Sequence, residues 1–159
     1  MRNNATPKRK KTFNQYLIAM ILGFESGMRI SEIVGYADRI KPLTKEQVSN
    51  SSIKILSGKG ERDRIVPRPK RLNQKAVDSL PLTISRRSLQ GFITKLGKKV
   101  LNKDITFHTL RHGFATHYYN KTHDLRGTQM LLGHARIDTT TIYAHVNPED
   151  LLKRVEEVF

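Results

Sequence analysis

Apolar residues recur at helical spacing over Phe13, Leu17, Met20, Ile21 and Phe24, which predicts a first helix ending near Gly27. Ser31 to Val34 reads as a short second helix, opened by a small polar residue and closed by Gly35. The period then shortens. Ser52–Leu56 alternates between apolar and polar residues, Asp63–Pro67 does so again, and the glycine-rich stretch Ser57–Arg62 between them predicts a β-hairpin. Three prolines between positions 67 and 84 predict mostly loop. Leu89, Phe92, Ile93, Leu96 and Val100 mark an amphipathic helix with its lysines on the opposite face. Phe107–Asn120 and Leu125–Leu132 also read as helices, the second stopped by Gly133, and Asp138 or Thr139 can cap a short helix through Tyr143. Asn147-Pro148-Glu149-Asp150 is a strong helix start, with a cap, a proline at the first position and acids near the positive end of the dipole. Leu151, Leu152, Val155, Val158 and Phe159 give that last helix an apolar stripe. The expected fold is mainly α with a small antiparallel β-hairpin sheet.

A chain of 159 residues with 37% apolar content fits one domain with a modest core. Its charge changes the picture more. Lys and Arg number 29 against 14 Asp and Glu, a formal net charge of +15, and the excess is clustered. Residues 1–12 carry five positive charges and no acid, residues 54–75 carry eight against Glu61 and Asp63, and residues 86–103 carry six and no acid. Three such runs in one small domain point to a DNA- or RNA-facing surface. A membrane is the competing polyanion, but it needs a basic amphipathic helix with a broad apolar face, and the first two runs do not read as helices. Pro7–Lys11 followed by the apolar Tyr16–Phe24 imitates a signal peptide, yet the apolar run is only nine residues and ends in Glu25 and Arg29 without a small-residue cleavage pattern. It reads instead as a buried helix. The chain has no Cys, which excludes disulfides, thiolate metal sites and Cys nucleophiles, and fits a cytoplasmic setting.

All six histidines lie between positions 108 and 145. His108 and His112 are four apart on one helix face, a spacing compatible with a metal. Between them stand Thr109, Leu110 and Arg111, so the carboxylate of a zinc hydrolase is missing and a cation is repelled. No nucleophile-elbow pattern supports a Ser/His/Asp hydrolase. No metal, cofactor or small-molecule substrate is expected. His112, His117, His123 and His145 read as structural or surface residues.

Anion chemistry fits better. Arg111 is followed 23 residues later by His134 in Leu132-Gly133-His134, and Tyr143 comes nine residues after that. Together with Gly27-Met28-Arg29-Ile30-Ser31-Glu32, Gly58-Lys59-Gly60 and His108-Thr109-Leu110-Arg111-His112, these motifs stand in an order and spacing that resemble the tyrosine recombinases, the phage-integrase family. The resemblance runs from about Ile18 to Val146. It implies the fold of the DNA breaking-rejoining catalytic domain and attack by Tyr143 on a scissile phosphate to form a 3′-phosphotyrosine. It further implies that Arg29 and Arg111 grip the non-bridging oxygens, as planar guanidinium forks do well. Lys59 would protonate the leaving 5′ oxygen, His108 would serve as general acid/base, His134 would hydrogen-bond the phosphate, and Glu32 would steady the first arginine.

The resemblance carries expectations about organisation as well. Residues 1–12 are expected to form a basic arm or linker and residues 13–159 the catalytic domain, with residues 146–159 as a tail helix. The N-terminal core-binding domain usual in the family is expected to be absent, and Pro67–Ser85 is shorter than usual. Double-stranded DNA is the expected partner, contacted by Lys8, Arg9, Lys10, Lys11, Arg62, Arg64, Arg68, Arg86 and Arg87. The tail helix is expected to dock on a neighbouring subunit and support a tetramer on DNA, with no membrane involved. Integration, excision and resolution are all open. Relaxation of supercoils, as by a type IB topoisomerase, is the alternative activity, and a non-catalytic DNA-binding remnant is the alternative outside catalysis.

Overall fold

A computed structural model describes residues 6–56, 63–133 and 148–158. Helix α1 spans Pro7–Glu25 and α2 spans Ile30–Val34, and a 3-10 turn follows at Lys45–Gln47. Strands β1 (Ser52–Ile55) and β2 (Arg64–Pro67) pair antiparallel, with Ser52 opposite Pro67 and Ile55 opposite Arg64. Helices α3 (Gln74–Asp78), α4 (Arg86–Leu101), α5 (Phe107–Thr122), α6 (Leu125–Leu132) and α7 (Pro148–Glu156) complete the described chain. The mainly helical architecture with one two-stranded sheet is the one the sequence predicts.

Local chemistry explains most of the boundaries. The side chains of Asn73, Ser85 and Asp124 accept from the N–H groups of Ala76, Ser88 and Gly127, capping α3, α4 and α6. Gly133 ends α6 in the left-handed conformation, with φ 64°. Two expectations need correction. The basic arm is not a linker throughout, because α1 starts at Pro7, a favoured first helical residue, and Lys8–Lys11 form its exposed opening turns. Helix α2 begins one residue earlier than expected, at Ile30. The proline-rich stretch is mostly loop, as expected, and holds the five-residue α3, which the Asn73 cap opens.

The buried interior falls into two clusters. The larger gathers Ile18, Leu22, Met28, Ile33, Ile53, Val66, Leu89 and Ile93 among others, and Phe107 closes it from α5. The smaller joins Phe114 and Tyr118 of α5, Leu131 and Leu132 of α6, and Val155 of α7. Helix α1 turns a different face inward from the one its periodicity marks. Ile18, Ala19, Leu22 and Gly23 are buried, whereas Phe13, Leu17 and Phe24 are 49%, 40% and 37% exposed. The reason is close approach to α5, since a Cβ on Gly23 would stand 2.7 Å from the Phe107 ring. Small residues let the two helices meet, and the large ones are displaced to the flank. No helix among the described residues is long and apolar enough to cross a membrane.

Candidate active site

The site grows from the sharp entry to α2. Arg29 is the N-cap of that helix in an extended conformation, and Glu32, three residues on, accepts its backbone N–H at 2.7 Å through Oε2. Glu32 Oε1 also accepts from the Arg29 guanidinium at 3.2 Å. Arg64 of β2 meets the same carboxylate with its fork, Nη1 to Oε1 at 2.8 Å and Nη2 to Oε2 at 2.9 Å, while its Nε donates to the Leu131 carbonyl at 3.0 Å. Burial pushes the Glu32 carboxyl up, but the hydrogen bonds and charges of Arg64 and Arg29 outweigh it and hold the group below the usual glutamate value. Glu32 is therefore an ionised clasp rather than a proton donor. Arg29 keeps 31% of its side chain exposed, against 8% for Arg64.

Arg111 reaches the same region from α5. It lies on the inward stripe with Phe107, Phe114 and Tyr118 and is 4% exposed. Its Nη1 donates to the Gly27 carbonyl at 2.6 Å and its Nη2 to the Leu132 carbonyl. Gly27 needs its freedom here, since φ is 62° and a Cβ would stand 2.6 Å from the Phe114 ring. One turn earlier on α5, His108 is exposed and stacks edge-on with His112, ring centres 4.4 Å apart. Desolvation, then the charges of His112, Arg111 and Arg29, lower the His108 pKa, so the imidazole is neutral at neutral pH. The structure thus brings Arg29, Glu32, His108 and Arg111 into one electrostatic neighbourhood. Lys59, Arg62, His134, Tyr143 and His145 lie outside the described residues. Among the described residues, no three His, Cys, Asp or Glu side chains cluster as metal ligands would.

Two expected DNA contacts have other employment. Arg64 is inside the fold, as just described. Arg68 donates to the Leu72 carbonyl through Nε and Nη2 at 3.2 and 3.0 Å and to the Ser49 carbonyl at 3.1 Å, stapling the end of β2 to its neighbours. Lys8, Arg9, Lys10, Lys11 and Arg87 are exposed, and the Arg86 guanidinium lies 4.5 Å above the Tyr36 ring. Arg64 was legible in principle. Side chains alternate along a strand, Val66 faces inward, and so must the residue two positions before it. Arg111 carried a similar signal as a cation set in an apolar helical stripe.

In this single chain the tail helix α7 packs on its own domain. Val155 is buried in the smaller cluster, Lys70 Nζ donates to the Glu156 carbonyl at 2.9 Å, and Arg154 pairs with Asp124 at 3.2 Å. His117 Nε2 and the Val158 carbonyl are 3.1 Å apart, which gives that histidine its structural role.

Known proteins resemble this chain in sequence and in fold. Residues 80–150 match the model described as the phage integrase family. The chain is 35% identical over 156 residues to the tyrosine recombinase XerD of Ralstonia nicotianae, covering 84% of this chain and 49% of that one. It is 34% identical over 151 residues to XerC of Escherichia coli, covering 80% and 47%. The chain spans about half the length of these curated relatives. Among solved structures, the integrase of mycobacterium phage Brujita superposes with a TM-score of 0.64 at 19% identity, over all of this chain and 60% of that one. The XerH site-specific recombinase bound to its difH substrate gives 0.59 at 23% identity, over 90% and 46%. Those two likenesses establish the fold, and with the curated relatives and the motif order they lead to one conclusion: the chain belongs to the tyrosine recombinase, or phage integrase, family.

Proposed function

We propose that this chain carries the strand-cleaving chemistry of a site-specific DNA recombinase. The observation that carries the reading is the convergence of Arg29, His108 and Arg111 from two separate elements, in a chain of net charge +15. In the proposed step the Tyr143 hydroxyl oxygen bonds to phosphorus and the bond to the 5′ oxygen breaks. The phosphodiester energy is kept in a 3′-phosphotyrosine, so rejoining needs no ATP. Neutral His108 accepts the tyrosine proton, Lys59 supplies one to the leaving oxygen, and the reverse step returns both. Arg29, Arg111 and His134 meet the non-bridging oxygens. The names of the two curated relatives above, both recombinases, favour recombination over topoisomerase-like relaxation. Double-stranded DNA is the partner, in keeping with the XerH recombinase bound to its difH substrate, and the setting is DNA-associated and cytoplasmic.

The test is covalent capture on a pool of nicked duplexes of randomised sequence, resolved on a denaturing gel. The native chain forms an adduct, in excess EDTA as well as without it, and Tyr143→Phe loses it while retaining DNA affinity. An adduct persisting in the Phe variant overturns the assignment.

For assembly, we propose that α7 exchanges its seat on the smaller cluster for the same seat on a neighbouring subunit when several copies bind one DNA. The support is a helix held, among the described residues, by one buried side chain, Val155, and a few polar bonds at its rim. Deleting residues 147–159 then abolishes the slow-migrating DNA complexes in native gels and leaves the single-copy complex. Unchanged higher complexes refute the exchange.

A further inference from the structure

Arg64 holds three parts of the molecule at once. Its fork closes on both oxygens of Glu32, whose carboxylate also fixes the backbone and guanidinium of Arg29. Its Nε donates to the Leu131 carbonyl at the end of α6, three residues before His134. Strand β2, to which it belongs, begins two residues after the 57–62 segment that contains Lys59. The aliphatic part is seated as tightly. A Cβ on Gly133 would fall 2.8 Å from Arg64 Cδ, so the arginine stem lies against the backbone that leads towards His134. With 8% of its side chain exposed, this cation is inside the fold, although it sits in a run that reads as DNA-facing.

Stability alone is a poor reason for such a residue. A buried ion pair gains little over an apolar replacement of equal volume, because desolvation of both charges offsets their attraction. What an arginine supplies and an apolar residue does not is geometry, with a rigid planar fork and a third donor set at a fixed angle to it. A lysine would keep the charge and lose the fork.

We propose that Arg64 is a positioning residue for strand cleavage, setting Arg29, through Glu32, in register with the strand that leads from Lys59 and the helix end that leads to His134. It acts without touching DNA. This rests on the cleavage reading above, and the experiment separates the two.

Four variants of the whole chain are compared with the native protein: Arg64→Met, Arg64→Lys, Glu32→Gln, and Arg64→Met combined with Glu32→Gln. Three quantities are measured: the single-turnover rate of adduct formation at saturating nicked duplex, the dissociation constant for intact duplex in a Tyr143→Phe background, and the NMR signals of the Arg29 Nε–H and the Gly133 amide. Arg64→Met slows adduct formation by about a hundredfold, the scale of an ångström-size misplacement, and changes the dissociation constant less than about threefold. Arg64→Lys, which preserves the buried charge if the Met variant folds poorly, stays at least about tenfold slow because the fork is gone. The double variant is no slower than the slower single one, since both break the same linkage. The Arg29 and Gly133 signals shift in every Arg64 variant. A loss of affinity that matches the loss of rate makes Arg64 a DNA contact and overturns the proposal. So does native single-turnover rate with only a lowered melting temperature, the mark of a purely structural residue. If the native chain itself forms no adduct, the cleavage reading fails, and the NMR signals still decide the linkage: unmoved Arg29 and Gly133 resonances in Arg64→Met reject it.

Discussion

The two hydrophobic clusters are closed in different ways. Among the described residues, sixteen buried ones make the larger cluster, drawn from α1 through α4, the hairpin and Phe107, so that chain surrounds it from several directions. Five make the smaller, and one of them, Val155, comes from the helix that roofs it. The candidate site lies on the seam. Arg111 donates to the carbonyl of Gly27, the chain neighbour of Met28 in the larger cluster, and to the carbonyl of Leu132 in the smaller. Arg64 likewise joins Glu32 to Leu131. A site built across a seam depends on both clusters, and Leu131 and Leu132 link its arginines to the cluster that Val155 of α7 joins.

Core truncation should separate the two clusters most strongly. Leu22 is fully buried in the larger one. Leu22→Ala is expected to lower the global unfolding free energy by about 2–5 kcal/mol, read by urea titration. Val155→Ala removes two carbons from the smaller cluster and is expected to cost about 1.6 kcal/mol at roughly 0.8 per carbon. Its loss of amide protection should be confined to α5, α6 and α7, because such units open separately. Equal loss of protection in α1 and α4 would show one cooperative body and remove the seam.

Acid gives a smaller and more selective effect. The folded pKa of Glu32 lies below its unfolded value, so the unfolded chain takes up the proton first as the pH falls. The contribution of the clasp is complete above the ordinary glutamate value and disappears as the pH drops through the lower, folded one. Glu32→Gln should therefore be less stable than the native chain at neutral pH, with the difference shrinking across that acid window. A difference independent of pH would mean that packing, not charge, holds Arg29 and Arg64 in place.

Much of the site is legible in the sequence because its spacing is a local record. The order of Arg29, Lys59, His108, Arg111, His134 and Tyr143 needs no coordinates, and the structure puts Arg29, His108 and Arg111 near one another. Partners distant in the chain leave a fainter trace. Arg64 stands in a basic run that reads as a DNA contact, although its strand parity with Val66 already points it inward. Nothing local announces that the carboxylate it meets lies 32 residues earlier, or that Arg111 bonds to a carbonyl 84 residues away.

What the sequence by itself determined is the type and period of most elements and several of their ends. Caps at Asn73, Ser85 and Asp124, the stop at Gly133 and the alternation of the hairpin are set by the backbone preferences of a few neighbouring residues. Only the tertiary structure decided which stripe of α1 is buried, where α7 sits, and which arginines face the interior. The largest apolar residues of α1 are displaced because Phe107 must lie against Gly23, a constraint that exists only once two helices are in contact. A buried cation is likewise tolerated only where acceptors converge on it. The carboxylate of Glu32 and the carbonyls of Gly27, Leu131 and Leu132 come from distant parts of the chain, and folding alone assembles them around Arg64 and Arg111.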